Sequence, residues 1–131
     1  MFDSNRILLV DSDKAFRRMV GKLIRRHHPA ASVSEARGRE DAMQQIKRHR
    51  PGLIVTDIDL RGRRSLDLLQ NIQAVHPEGV IAVLTSFDLP EYREAATQSG
   101  AQYFISKSAP SGPAILEMVA NELAPPNPPT R

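Results

Sequence analysis

Leu53-Ile54-Val55-Thr56-Asp57-Ile58-Asp59 is the stretch that decides the fold of this chain. Leu53-Ile54-Val55 is a short, continuous apolar run without alternation, which predicts a strand buried on both faces, as in the middle of a parallel sheet. Two further runs share this character, Ile7-Leu8-Leu9-Val10 and Val80-Ile81-Ala82-Val83-Leu84. Ser32-Val33-Ser34-Glu35-Ala36 merely alternates and Tyr103-Phe104-Ile105 is short, so both are expected at sheet edges.

Between the strands the apolar period changes from continuous to three-and-four. Phe16, Met19, Val20, Leu23 and Ile24 form one helical stripe; Ala42, Met43 and Ile46 form a second; Leu69, Ile72 and Val75 a third. Ile115, Leu116, Val119 and Leu123 form the last. A shorter, more polar helix is expected between Asp88 and Gly100, with Pro90 in its first turn and Gly100 as its stop; Pro113 suits the first turn of the final helix.

Five strands alternating with five helices predict an α/β fold, a three-layer (βα)5 sandwich around a five-stranded parallel sheet. Placing the three most apolar strands centrally gives the flavodoxin-like order 2-1-3-4-5. At 131 residues the chain fits one domain, read as residues 1–124. Residues 125–131, Pro-Pro-Asn-Pro-Pro-Thr-Arg, cannot continue a helix and read as a proline-rich tail or linker.

Composition narrows the class. With 40% hydrophobic and 25% charged residues the balance is that of a soluble globular protein. No apolar run nears the roughly 18 residues needed to cross a bilayer, and residues 1–10 lack a signal-peptide pattern, so a cytoplasmic protein with no membrane partner is expected. The absence of cysteine excludes disulfides and thiolate metal sites. Residues 1–64 hold 15 Lys/Arg against 8 Asp/Glu, while residues 65–131 hold 3 against 7. Such a basic half can attract an acidic partner or nucleic acid. Only two tyrosines and four phenylalanines accompany the charges, none interleaved for base stacking, so solvated helix faces are the plainer reading.

In an open parallel sheet, ligands bind beyond the carboxyl ends of the strands where the strand order reverses. The residues leaving the strands there are Asp11-Ser12-Asp13, Thr56-Asp57-Ile58-Asp59, Thr85-Ser86 and Ser106-Lys107-Ser108. Two acidic clusters, a hydroxyl pair and a lysine thus converge on one rim, with Asp11 facing Asp57. Adjacent carboxylates repel, and a divalent cation is the usual remedy.

Taken together, Ile7-Leu8-Leu9-Val10-Asp11, Asp57 after an apolar strand, Leu84-Thr85, and Gly100-Ala101 followed by Tyr103-Phe104-Ile105-Ser106-Lys107 resemble the response-regulator receiver domain of two-component signalling, over about residues 5 to 124. The resemblance implies that Asp57 is the phosphoacceptor, attacking a phosphohistidine on a sensor histidine kinase. It implies a magnesium ion held by Asp11, Asp57 and the main-chain carbonyl of Asp59. Lys107, Thr85 and Ser86 would bind the phosphoryl group. Thr85 and Phe104 would form the switch that alters the face of helix 4, strand 5 and helix 5, where partners or a homodimer mate dock. Tyr103 is expected on the opposite side of its strand. Beyond self-phosphotransfer and autodephosphorylation no enzymatic activity is implied.

Several positions depart from the family pattern. The family places two adjacent acids after the first strand; here the second is Ser12, so magnesium affinity should be weak unless Asp13, itself read as a helix cap, swings in. The loop after Asp57 usually carries Pro and two glycines; here it reads Leu60-Arg61-Gly62-Arg63-Arg64-Ser65. Ser108 replaces the proline that often follows the lysine. Phe87-Asp88-Leu89-Pro90-Glu91-Tyr92-Arg93 resembles members with a helix-turn-helix output domain, and nucleic acid would be contacted only through such an appended domain. The alternative reading is a pseudo-receiver, a phosphorylation-independent interaction or dimerisation module, favoured by Ser12 and the arginine-rich loop. Asp57-Ile58-Asp59 also matches the Asp-x-Asp motif of haloacid-dehalogenase-like phosphatases, but that family puts it after the first strand. His27, His28, His49 and His76 lack metal-ligand spacing and read as surface or C-terminal-turn residues.

Overall fold

Successive residues of a strand point to opposite faces, so a strand with no polar residue needs cover on both. The computed structural model, which describes residues 3–60, 63–64, 66–108 and 110–123, provides that cover. Five strands, β1 (Asp3–Val10), β2 (Ser32–Ala36), β3 (Pro51–Thr56), β4 (Val80–Thr85) and β5 (Ala101–Ser106), form one parallel sheet in the order β2-β1-β3-β4-β5. They alternate with α1 (Lys14–His27), α2 (Arg39–His49), α3 (Asp67–Val75), α4 (Pro90–Gln98) and α5 (Gly112–Glu122). The expected fold class and strand order are therefore observed.

The faces divide the core into two layers. Ile7 and Leu9 of β1, Leu53 and Val55 of β3, and Ala82 and Leu84 of β4 pack with Val20 and Ile24 of α1 and Ile115, Met118 and Val119 of α5. Their strand neighbours Leu8, Val10, Ile54, Ile81 and Val83 face the other way, onto Ala42 and Ile46 of α2, Leu68, Leu69 and Ile72 of α3, and Ala96 of α4. Tyr103 and Phe104 likewise fall on opposite layers.

Local chemistry sets the element ends. Asp13 caps α1 by accepting the Phe16 N–H at 3.0 Å, and Pro90 and Pro113 lie in the first turns of α4 and α5. Gly100 follows α4 at φ 111°, a conformation that suits glycine, and a Cβ there would meet the Gln73 side chain at 2.6 Å. Arg50 adopts the left-handed conformation after α2, and its guanidinium donates to the Val75 carbonyl at 2.7 Å.

Three features differ from the sequence reading. β1 begins at Asp3, ahead of its apolar run, with a register irregularity between Asp3 and Ile7. After the site, Asp59–Leu60 pairs antiparallel with Arg63–Arg64 in a short ribbon. His76 follows α3, as a C-terminal-turn residue should, but it is fully buried rather than on the surface. Its Nε2 lies 2.6 Å from the Pro51 carbonyl, and Gly79 leaves room for its ring. His27 and His49 are exposed and His28 is half-buried. The proline-rich tail, together with Arg61, Gly62 and Ser65 of the loop, lies outside the described residues. Among the described residues no helix is long and apolar enough to cross a membrane.

Candidate functional site

The pairing of β1 with β3 sets Leu9 opposite Val55 and Val10 opposite Thr56, so the next residue on each strand is an aspartate. The ladder continues through them: the Asp57 N–H donates to Val10 at 3.1 Å and the Asp11 N–H to Ala36 at 3.0 Å. Asp11 and Asp57 are thereby fixed side by side at the switch point of the sheet, each 6% exposed. The two loops use the same local device. Asp11 Oδ1 accepts the N–H of Asp13 at 2.9 Å, and Asp57 Oδ1 accepts the N–H of Asp59 at 3.0 Å.

The second oxygen of each carboxylate goes to one cation. Lys107 Nζ donates to Asp11 Oδ2 at 2.7 Å and to Asp57 Oδ2 at 2.8 Å. Lys107 leaves β5 beside Thr85, whose carbonyl accepts the Lys107 N–H at 2.9 Å. Burial pushes the Asp11 carboxyl above its ordinary range, against the opposing pull of Lys107 and the Asp13 N–H. Burial works against the Lys107 charge too, but the hydrogen bonds and the charges of Asp11 and Asp57 together outweigh it, and its pKa is raised.

Thr85 is buried, and its Oγ1 accepts the Phe87 N–H at 3.2 Å, which leaves the hydroxyl its own proton to donate. Ser86, Ser12 and Asp13 are exposed on the same rim. Because Asp13 Oδ1 already caps α1, drawing it into a metal shell would uncap that helix. Asp59 is half-buried, and its Oδ1 has no hydrogen-bond partner among the described residues. The structure thus brings Asp11, Asp57 and Lys107 into direct contact and places Thr85 on the adjoining strand end. Phe104 packs farther along β5 in the α4 layer.

Hard oxygen donors are what a small divalent cation requires. Asp11, Asp57 and the Asp59 carbonyl fit that need, and two carboxylates sharing one ammonium leave a net negative charge. Among the described residues no third Asp, Glu or His joins them as a metal-binding group.

Three contributing residues were not singled out from the sequence. Phe16 counted as core, yet its ring centroid lies 4.4 Å from Lys107 Nζ. Arg17 counted among solvated basic residues, yet its side chain is 11% exposed, pairs with Glu35 at 2.7 Å and donates to the Asp11 carbonyl. Arg93 stacks on Phe104. A helical stripe records burial, and a charge count records sign; neither records which neighbour a side chain meets.

Comparison with known proteins agrees with this geometry. The family model of the response regulator receiver domain matches residues 7–120. The chain is 28% identical over 112 residues to the oxygen regulatory protein NreC of Staphylococcus epidermidis, a match covering 85% of this chain and 51% of NreC. The receiver domain of NtrX from Brucella abortus superposes with a TM-score of 0.80 at 26% identity, over 89% of this chain and 97% of that one. A CheY-like receiver domain protein from Methanospirillum hungatei gives a TM-score of 0.80 at 21% identity, over 92% and 93% of the two chains, a likeness of fold. The chain spans about half the length of NreC, and 22% of the protein-glutamate methylesterase of Bacillus licheniformis that it also matches. The family match over nearly the whole sheet, on a fold whose switch point holds the acid pair and its lysine, makes this chain a member of the response regulator receiver domain family, the phosphoryl-accepting module of two-component signalling.

Proposed function

We propose that Asp57 is the phosphoacceptor of this receiver domain. The observation that carries the assignment is the Lys107 ammonium, which lies 2.8 Å from Asp57 Oδ2 and 2.7 Å from Asp11 Oδ2. Asp57 is the one of these two acids that directly follows the central strand β3, and its oxygens, like those of Asp11, are both oriented by donors.

One Asp57 oxygen attacks the phosphorus of a phosphohistidine on a sensor histidine kinase. The P–N bond breaks, its electron pair leaves on the imidazole nitrogen, which takes a proton, and Asp57 becomes an acyl phosphate. Lys107 orients Asp57 beforehand and then faces the phosphoryl oxygens. Thr85, one strand away, donates its hydroxyl proton to the same group, and Ser86 lines the approach. Asp11, Asp57 and the Asp59 carbonyl would hold a magnesium ion, which when bound neutralises charge on the transferring group. Ser12 offers that shell a neutral oxygen, so we expect weak affinity.

The modification adds close to two negative charges at one rim. Thr85 moves toward them, Phe104 takes the space vacated, and the face of α4, β5 and α5 changes. That face is where a homodimer mate or other partner docks, and any contact with nucleic acid runs through an appended output domain. The domain works in the cytoplasm beside its kinase. The Asp11–Asp57–Lys107 contact and the neighbouring Thr85 weigh against the phosphorylation-independent module that Ser12 and the arginine-rich loop favour, and the Asp-x-Asp pair follows the third strand, not the first.

The direct test is incubation with acetyl phosphate and magnesium, followed by intact-mass measurement. A gain of one phosphoryl group that is lost in Asp57→Asn is the expected result. An unmodified wild-type chain would overturn the proposal.

A further inference from the structure

Two sides of the Lys107 ammonium are occupied by the acid pair, and a third faces an aromatic ring. We propose that Phe16 is a positioning residue for phosphoryl transfer: its ring face, 4.4 Å from Lys107 Nζ, holds the ammonium against Asp11 and Asp57. The inference rests on the reading of Asp57 as acceptor and goes beyond it, because it assigns a role to a residue of α1 that carries no polar side-chain group.

An ammonium is a strongly hydrated point charge on a flexible four-carbon stem, and on its own it samples many rotamers in water. Here the side chain is only 12% exposed, so much of its hydration is gone. The negative face of an aromatic ring returns part of that lost stabilisation at distances up to about 6 Å from the centroid. A ring also brings no lone pair that would compete with the acids for the N–H bonds. Because the attraction acts over the whole ring face, the ammonium can turn from the Asp57 carboxylate to an arriving phosphoryl oxygen without leaving the ring.

The ring itself is fixed. Phe16 lies in the first turn of α1, and its N–H donates to Asp13 Oδ1 at 3.0 Å, so the helix cap sets where the side chain starts. Phe16 packs against the core cluster that contains Leu9, Val20, Val55 and Leu84, and these residues line one small pocket together with the acid pair. Asp13 therefore contributes to the site through the backbone of Phe16, with its carboxylate engaged in the helix cap.

The test uses the full chain, acetyl phosphate as donor, and initial rates of Asp57 phosphorylation with magnesium. Phe16→Leu, which keeps apolar bulk without a ring, should slow phosphorylation about threefold to thirtyfold, the range expected for a partly desolvated cation–π contact. Phe16→Tyr, which keeps the ring, should restore a rate within about twofold of wild type. Phe16→Met is the second aliphatic variant and should reproduce the deficit if the leucine variant folds poorly. In NMR spectra the Lys107 ε-methylene should move downfield in Phe16→Leu as the ring current is lost, and should keep its position in Phe16→Tyr. In a Lys107→Met background, Phe16→Leu should have no further effect. Equal rates in wild type and in the folded aliphatic variants would overturn the proposal, as would the same deficit in the Lys107→Met background. Phosphorylation that persists in Asp57→Asn would instead mean that the acceptor assignment has failed.

Discussion

The guanidinium of Arg93 lies 4.7 Å from the centre of the Phe104 ring, its Nη1 donates to the Phe104 carbonyl at 3.4 Å, and its Nη2 reaches Asp88 at 3.2 Å. One side chain of α4 thus covers the aromatic residue of β5 and ties it to the loop after Thr85. Arg93 and Asp88 are both substantially exposed, so their ion pair contributes little alone. The stacking contributes about 0.5–1 kcal/mol at such a site. A switch whose states differ by a few kcal/mol is biased by contacts of this size.

Removing that cover should release the aromatic. Arg93→Ala is expected to leave the fold intact and to move the Phe104 ring resonances toward the positions they take when beryllofluoride occupies the acceptor site. The beryllofluoride-induced shift of residues 85 to 108 should shrink accordingly. Unchanged Phe104 resonances in the variant would show that Arg93 merely decorates the surface.

The two acids that flank Ile58 should separate cleanly. Asp57→Asn removes the nucleophile and should abolish incorporation from phosphoramidate or acetyl phosphate. Asp59→Asn alters a side chain but keeps the main-chain carbonyl and the N–H that donates to Asp57 Oδ1. Most incorporation should survive. Strong labelling of Asp57→Asn, or its loss in Asp59→Asn, would reassign the acceptor.

Most of this architecture was legible because it rests on period and order. Continuous apolar runs at 7–10, 53–55 and 80–84 identified the strands that need two covered faces, and centrality followed from apolarity. The acids and Lys107 were legible as a set because a parallel sheet sends every strand end to one rim. What stayed hidden depends on single side-chain directions. His76 looked like any polar residue after a helix, and its burial depends on the space left by Gly79. Phe16 and Arg17 each fit a plainer class, core aromatic and surface cation, and only the first turn of α1 sets both against the Asp11 loop. The early start of β1 was obscured because Asp3-Ser4-Asn5-Arg6 carries no apolar signal.

Magnesium affinity should respond to the position beside Asp11. Ser12 is exposed on the rim, while the Asp13 carboxylate is held by the cap of α1. Ser12→Asp adds a third carboxylate without disturbing the cap and should tighten magnesium binding severalfold in a calorimetric titration. Asp13→Asn keeps a capping oxygen and should leave the affinity nearly unchanged. A large loss in Asp13→Asn would show that Asp13 leaves its cap to serve the metal.

The raised pKa of Asp11 gives the site a pH-dependent cost in stability. Burial is its main cause and, together with the charge of Asp57, exceeds the opposing help of Lys107 and the Asp13 N–H. A carboxyl whose folded pKa lies above its unfolded value stabilises most below the unfolded value of 3.8, and that contribution is lost as the pH rises through the folded pKa. At neutral pH the ionised Asp11 therefore weakens the fold. Asp11→Asn has no charge to bury, although it keeps only one of the two oxygens that accept hydrogen bonds now. Its melting temperature should exceed that of wild type by a few degrees at pH 7, with the advantage shrinking as the pH falls through the folded Asp11 pKa. Lys107 sets the opposite limb. Its raised pKa adds stability that is full below the unfolded value of 10.5 and lost as the pH rises through the folded one. Without Asp11 that alkaline loss should be smaller and complete at a lower pH. Melting curves followed by circular dichroism across the pH range measure both limbs. An Asp11→Asn variant no more stable than wild type at pH 7 would mean that the Lys107 bridge outweighs the burial of the charge.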